Sequence, residues 1–327
     1  MALMAYGLAA LGATVASLGL VKAYRARDAT PAPPALDQPA DGESMGAYRL
    51  LEKIGEGGSA DVFRARSIND PSAPPVALKL QREKEKVDHQ ATARFQLEIQ
   101  ASLKLKHPNL AEVHDWGEDS QGRCFMVSEL LEGETLRQRL RRGPSVSLAE
   151  IAKIIRPLGE VLAYLHEQKM VHRDVKPDNI FLTGQGKVKL MDLGIIKSLE
   201  AAAMTRAGVV VGTPHYLSPE QIHGESAPSS DQYGLGVTIF EMLCDNRPFR
   251  GTPMEIIEQH LYRAPPRLSK FRRGCPIELD VAVGRMLAKE PEQRFPGVME
   301  AVEAVCAALA EGEEGDEDVD TMVVVLT

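Results

Sequence analysis

The chain has 327 residues, of which 44% are hydrophobic and 26% charged, and a formal net charge of −8. This composition excludes general disorder and leaves room for one large domain or two ordinary ones. The acidic balance gives no overall footprint for nucleic acid, and Cys124, Cys244, Cys275 and Cys306 show no CxxC spacing, which argues against a zinc site or disulfide scaffold and fits a reducing compartment.

Residues 2–21, ALMAYGLAALGATVASLGLV, carry no charge. At about 1.5 Å per helical residue they span about 30 Å, the thickness of the hydrocarbon layer. Lys22, Arg25 and Arg27 follow directly and no basic residue precedes. The positive-inside rule therefore predicts a transmembrane helix or signal anchor over 1–21, a single-pass membrane protein with everything downstream in the cytoplasm. A mobile or interfacial helix is the alternative, since six alanines and three glycines make the run weakly hydrophobic. Ala5, Ala9 and Ala13 recur at four-residue spacing, as do Gly12 and Ala16, the small-residue pattern that lets membrane helices pair in a homodimer. The proline-rich string DATPAPPALDQPADGES, Asp28 to Ser44, then reads as an extended tether, giving a linker over 22–46.

From about residue 47 strand signals dominate: YRLLEKIG, ADVFRARS and PVALKL, then AEVHDWGED and CFMVSELL after one helical stretch near 88–105. After residue 134 helices take over, with apolar residues at three and four spacing in LAEIAKIIRPLGEVLAYLHEQ and DQYGLGVTIFEMLC. A small β-rich part followed by a larger helical part predicts two lobes with a cleft between them. At the end EGEEGDEDVD, residues 311–320, holds seven acidic residues and no basic one. The rest of the chain is thus near neutral, and the plain reading of the run is a solvated, self-repelling tail.

Four motifs carry chemistry. GEGGSADV, Gly55 to Val62, lies between two strand-like runs, where glycines let the backbone turn tightly and approach phosphate oxygens. It introduces no helix, which counts against a dinucleotide fold, and no GxxxxGK[ST] string is present. Val76-Ala77-Leu78-Lys79 ends a strand in a lysine among apolar neighbours, and Glu98, on a helix face with Phe95, Ile99 and Ser102, is a candidate partner for its charge. In VHRDVKPDNIFL, the carboxylate of Asp174, the ammonium of Lys176 and the carboxamide of Asn179 share a short loop. In VKLMDLG, Asp192 ends an apolar strand, and Asn179 with Asp192 offers the oxygen ligands that Mg²⁺ takes alongside substrate phosphates.

In this order, and joined by GTPHYLSPE, the motifs resemble the protein kinase family, specifically the bacterial serine/threonine kinases related to the eukaryotic ones (Hanks-type), over about residues 47–300. The resemblance implies an α+β, two-lobed protein kinase fold: an N-lobe over about 47–128, a hinge over about 129–133, a C-lobe over about 134–308 and an acidic tail over 309–327. It implies ATP as phosphoryl donor with Mg²⁺ or Mn²⁺, and protein Ser/Thr hydroxyls as acceptors. Lys79 would hold the α- and β-phosphates and pair with Glu98, Asp174 would position or deprotonate the hydroxyl, and Lys176 would contact the γ-phosphate. Asn179 and Asp192 would be the metal ligands. The nucleotide would lie among Ile54, Gly55, Glu56, Gly57, Gly58, Ser59, Ala60, Asp61, Val62, Ala77, Glu129, Leu131 and Leu182, with Ser128 as gatekeeper. Ala60 stands where the family often has its third glycine, and Leu193 where it often has Phe. Glu220 would pair with Arg294, and Asp231 would anchor the catalytic loop. Arg173 implies pairing with a phosphorylated activation loop, in which Ser198, Thr205 and Thr213 are available and Thr205 is the expected autophosphorylation site. Thr321, after Asp318 and Asp320, resembles phosphothreonines read by forkhead-associated domains. A pseudokinase scaffold and a small-molecule phosphotransferase are the competing classes.

Overall fold

The computed structural model describes residues 43–56, 60–81, 100, 102–119, 123–143, 145–193, 214–272 and 274–323, the stretch 312–323 by backbone alone. The run read as a membrane helix, the tether up to residue 42, Gly57, Gly58, Ser59, Glu98 and the loop with Ser198, Thr205 and Thr213 lie outside these residues, as does the side chain of Thr321. Among the described residues no helix is long and apolar enough to cross a membrane.

Strands β1 (Ser44–Met45), β2 (Tyr48–Glu56), β3 (Ala60–Ser67), β4 (Val76–Gln81), β5 (Val113–Glu118) and β6 (Cys124–Glu129) make an antiparallel sheet ordered β1-β2-β3-β4-β6-β5. Side chains alternate across a pleated strand, so register decides which residues share a face. Leu78 lies opposite Phe63 and Val127, and Leu80 opposite Phe125; with Met45, Leu50 and Ala65 they form the core of this sheet. The alternate residues fall on the other face, where Lys79 lies opposite Val62 and Met126, and Ala77 opposite Ser128. The β1 hairpin reaches into the end of the segment read as tether, pairing Ser44 with Arg49.

The chain then passes through β7 (Gly133–Thr135) into α1 (Leu136–Arg142), which Thr135 caps reciprocally with Gln138. Gly133 is obligatory: its φ is +145° and a Cβ would come within 2.1 Å of the Leu182 carbonyl oxygen. Helix α2 (Leu148–Glu167) buries Ile151, Ile154, Ile155, Leu158, Leu162 and Leu165, the spacing read from the sequence. Strands β8 (Ile180–Thr183) and β9 (Val188–Leu190) join β7 in a second sheet of three strands. Helices α3 (Pro219–Ile222), α4 (Pro228–Cys244), α5 (Pro253–Tyr262), α6 (Ile277–Met286) and α7 (Val298–Val323) complete the helical lobe. The sequence reads α4 as an amphipathic helix, whereas it is buried all round from Ser230 to Cys244. It runs through the middle of the lobe and has no solvent face to mark. Two residues that precede β5, Leu105 and Leu110, belong to this helical core rather than to the core of the six-stranded sheet.

Candidate active site

The loop between α2 and β8 is shaped from beneath by one carboxylate. Asp231, in the first turn of α4, is 1% exposed; its Oδ2 accepts the His172 N–H at 2.8 Å and its Oδ1 the Arg173 N–H at 2.7 Å. His166 Nε2 lies 2.8 Å from the same Oδ2. An anion at a helix N-terminus is favoured by the exposed N–H groups there. Two consecutive N–H groups held this way pin Arg173 at φ +67°, a left-handed conformation that costs free energy in a non-glycine residue. The Gln221 side-chain amide of α3 donates to the Arg173 carbonyl at 2.9 Å.

The side chains that follow converge. Asp174 Oδ2 lies 2.9 Å from Lys176 Nζ and accepts from Asn179 Nδ2 at 2.7 Å. Asn179 Nδ2 also donates to the Asp174 carbonyl at 2.8 Å, so the amide nitrogen faces the loop and Oδ1 remains available as an acceptor. The loop is tied to β9 through Met191, whose N–H donates to the Asn179 carbonyl at 2.8 Å and whose carbonyl lies 2.9 Å from His172 Nε2. His172 Nδ1 accepts the Asp174 N–H at 3.3 Å, so Nε2 is the protonated nitrogen that donates to Met191. Asp192 follows at φ +52°, with Oδ2 2.8 Å from Lys79 Nζ on β4. Lys79, Asp192, Asp174, Lys176 and Asn179 thus come from β4, the segment just after β9 and the loop between α2 and β8.

The remaining expected positions line up around them. Gly55 pairs with Val62 and Glu56 with Asp61 across the β2–β3 hairpin, and Lys53 spans that hairpin with ion pairs to Glu56 at 3.3 Å and Asp61 at 3.2 Å. Ala60 is buried, Val62, Ala77, Ser128, Glu129, Leu131 and Leu182 are half-buried, and Ile54 is exposed. Among the described residues no group of three or more His, Cys, Asp or Glu side chains could hold a metal by itself. Asn179 and Asp192 fit a Mg²⁺ site of the kind in which substrate phosphates and waters supply the remaining oxygens.

A platform flanks this centre. Glu220 of α3 takes both terminal nitrogens of Arg294 at 2.7 and 2.8 Å and the Ser230 hydroxyl at 2.8 Å. Burial opposes ionisation of Glu220, but the guanidinium overrides it and holds the carboxyl below its ordinary value. A second buried cluster has no counterpart in the motif reading. Arg137 of α1 donates to Glu241 Oε1 at 2.7 Å, to Asp178 Oδ2 at 3.3 Å and to the Tyr216 hydroxyl, while Arg247 Nε reaches Glu241 Oε1 at 3.2 Å and the Tyr216 hydroxyl at 3.1 Å. It links α1, the residue beside Asn179, and the 3₁₀ turn Pro214–Tyr216. Burial and the Glu241 charge push the Tyr216 phenol up, so it stays a neutral donor. In the sequence Arg137 sits in LRQRLRR and reads as one of several surface arginines; only its burial sets it apart.

Comparison with known proteins follows the same lines. Residues 48–305 match the family described as "Protein kinase domain". Over 267 residues the chain is 39% identical to serine/threonine-protein kinase PknL of Mycobacterium tuberculosis, covering 81% of this chain and 66% of that protein. Over 271 residues it is 35% identical to PknA of the same organism, covering 81% and 62%. The chain therefore spans slightly under two thirds of the length of these relatives. The crystal structure of the M. tuberculosis PknI kinase domain superposes with a TM-score of 0.70 at 26% identity, covering 83% of this chain and 99% of that one. With the family match over most of its length and the convergent loop geometry in place, the chain belongs to the protein kinase family, in its bacterial, Hanks-type serine/threonine branch.

Proposed function

We propose that the chain transfers the γ-phosphoryl group of ATP to Ser and Thr hydroxyls of proteins. The observation that carries this reading is the convergence of Lys79 and Asp192, 2.8 Å apart, with the Asp174, Lys176 and Asn179 cluster. Asp174 accepts or orients the hydroxyl proton of the acceptor side chain, and Lys176 beside it offsets negative charge on the group in transit. Lys79 holds the α- and β-phosphates. The cleft face of the six-stranded sheet, with Val62 and Ala77, covers the adenine from one side, and Leu182 lies beneath it, with Glu129 and Leu131 at the hinge. Asn179 and Asp192 would hold the divalent cation, which when bound neutralises phosphate charge. Catalysis on this reading is positioning plus electrostatic stabilisation, with no covalent intermediate on the protein.

The same reading extends to regulation and location. Autophosphorylation of Thr205 answers to Arg173, a phosphorylated Thr321 is offered to a forkhead-associated reader, and residues 1–21 tether the catalytic domain to a membrane and pair as a dimer. These rest on the sequence patterns alone. Incubating the purified chain and its Asp174→Asn variant with labelled ATP, Mg²⁺ and a generic protein tests the core of the proposal. Transfer to protein by the wild type, reduced at least a hundredfold in the variant, is expected. No transfer favours a scaffold, and transfer only to small molecules favours a metabolite phosphotransferase. Loss of activity in Thr205→Ala is the further expectation, and full activity of unphosphorylated protein would refute the switch.

A further inference from the structure

Two ion pairs of opposite polarity join the six-stranded sheet to the β9 region. Lys79 of β4 meets Asp192, and Glu129, the last residue of β6, meets Lys189 of β9 with Nζ 2.6 Å from Oε1. The second pair closes a larger junction. Glu129 Oε1 also accepts the Glu112 N–H at 2.8 Å, and the Glu129 N–H donates to the Glu112 carbonyl at 2.9 Å. Residues 109–111 are in turn stitched to β9: the Leu190 N–H donates to the Asn109 carbonyl at 2.7 Å, the Ala111 N–H to the Leu190 carbonyl at 2.9 Å, and Asn109 Nδ2 to the Val188 carbonyl at 2.8 Å. Lys189 Nζ adds a bond to the Leu110 carbonyl at 3.2 Å. One carboxylate and one ammonium therefore fasten the end of β6 to the strand that leads into Asp192.

We propose that Lys189 is a positioning residue for the nucleotide. By holding the Glu129 carboxylate it fixes the backbone of 129–131, the hinge side of the adenine site, relative to β8 and β9, and so sets nucleotide affinity without touching the nucleotide. The inference rests on the phosphotransferase reading above. An exposed pair would do little, but here the Lys189 side chain is only 15% exposed and the carboxylate is fixed by a backbone N–H as well. Lys189 lines a cavity of about 360 Å³ together with His107, Pro108, Leu110 and Glu112. Removing its charge therefore leaves space for water instead of an uncompensated charge sealed in packed core.

The test is to titrate ADP onto the full chain and its Lys189→Met, Lys189→Arg, Glu129→Gln and Lys189→Met/Glu129→Gln variants, with KM for ATP, KM for the protein substrate, kcat and thermal midpoint measured alongside. Lys189→Met and Glu129→Gln are each expected to weaken ADP binding and raise KM for ATP three- to tenfold, and in Lys189→Met kcat and the protein-substrate KM should stay within twofold of wild type. The double variant should be no worse than either single one, since both remove the same interaction, and Lys189→Arg should recover most of the affinity. Unchanged ADP affinity in Lys189→Met, effects that multiply in the double variant, or a lowered thermal midpoint with KM unchanged would overturn the inference alone. A wild-type chain that neither binds ADP nor transfers phosphate overturns the proposed function with it.

Discussion

Asp231 holds a loop conformation that the loop does not adopt cheaply by itself. Its two oxygens meet backbone donors on His172 and Arg173, and Asp231→Asn would replace one oxygen by an amide group facing an N–H. The expected cost is about 1.5–3 kcal/mol of stability, for a charge-assisted hydrogen bond lost and a buried N–H left without an acceptor, with kcat reduced at least tenfold as Arg173 relaxes from positive φ; urea unfolding and steady-state kinetics on one preparation measure both. His260 is another fully buried polar side chain, 2.9 Å from the Tyr233 hydroxyl and 3.1 Å from the His215 carbonyl. Burial, followed by the nearby Lys289 charge, pushes its imidazole down to about 3 from the ordinary 6.5. Between those values the unfolded chain binds a proton that the folded chain refuses, so this contribution to stability falls as pH drops below 6.5, by about 2 kcal/mol at pH 5. His260→Asn should flatten that part of the stability profile; an unchanged slope between pH 6.5 and 5 would show that His260 is not its source. Glu220 acts at lower pH: its depressed value gives stability above the ordinary carboxylate range that is lost as pH falls through the folded value.

Among the helices, glycines mark the closest approaches. A Cβ on Gly234 of α4 would lie 2.9 Å from the Val175 carbonyl oxygen in the loop between α2 and β8, where backbone has no side chain to swing aside. Gly234→Ala is therefore expected to reduce kcat about tenfold even though alanine favours the helix. Gly284, in α6, meets nothing within 4 Å, and Gly284→Ala should stabilise the fold by up to about 1 kcal/mol through helix propensity alone, with kcat unchanged. Calorimetry and kinetics on the two variants separate packing from propensity. This contrast also explains what the sequence disclosed. Periodicity marks α2 because one of its faces is wet, and it misdescribes α4 because none is. Short motifs such as VALK and HRDVKPDN are legible since their chemistry is local, as is Asp192 at the end of its strand. The Arg137–Glu241 contact joins residues 104 apart, and the Lys189–Glu129 pair joins residues 60 apart. No local pattern announces a partner at that distance, and each of these side chains alone looks like surface charge.

At the level of the whole molecule the two lobes are unequal. The six-stranded sheet encloses a core of few buried side chains, Met45, Leu50, Ala65, Leu78, Leu80, Phe125 and Val127, whereas the helical core extends through α2, α4, α6 and α7. Regions with little buried apolar area open at lower free energy, so amide hydrogen exchange should be faster in β2–β4 than in α2 and α4, and a bound nucleotide should slow it chiefly in the strands. Equal protection in both lobes would contradict the ranking. The assignment of Leu105 and Leu110 to the helical core carries a practical consequence for dissecting the chain. A cut at the hinge, which the linear order of the lobes invites, separates the helical half from two of its own core leucines and from residues 109–111, which are hydrogen-bonded to β9. A fragment beginning at residue 130 should be aggregation-prone, and mixing it with a separately made piece covering 43–129 should restore a soluble, noncovalent complex. The boundary at which the polypeptide can be divided is therefore not the boundary that the linear order of the lobes suggests.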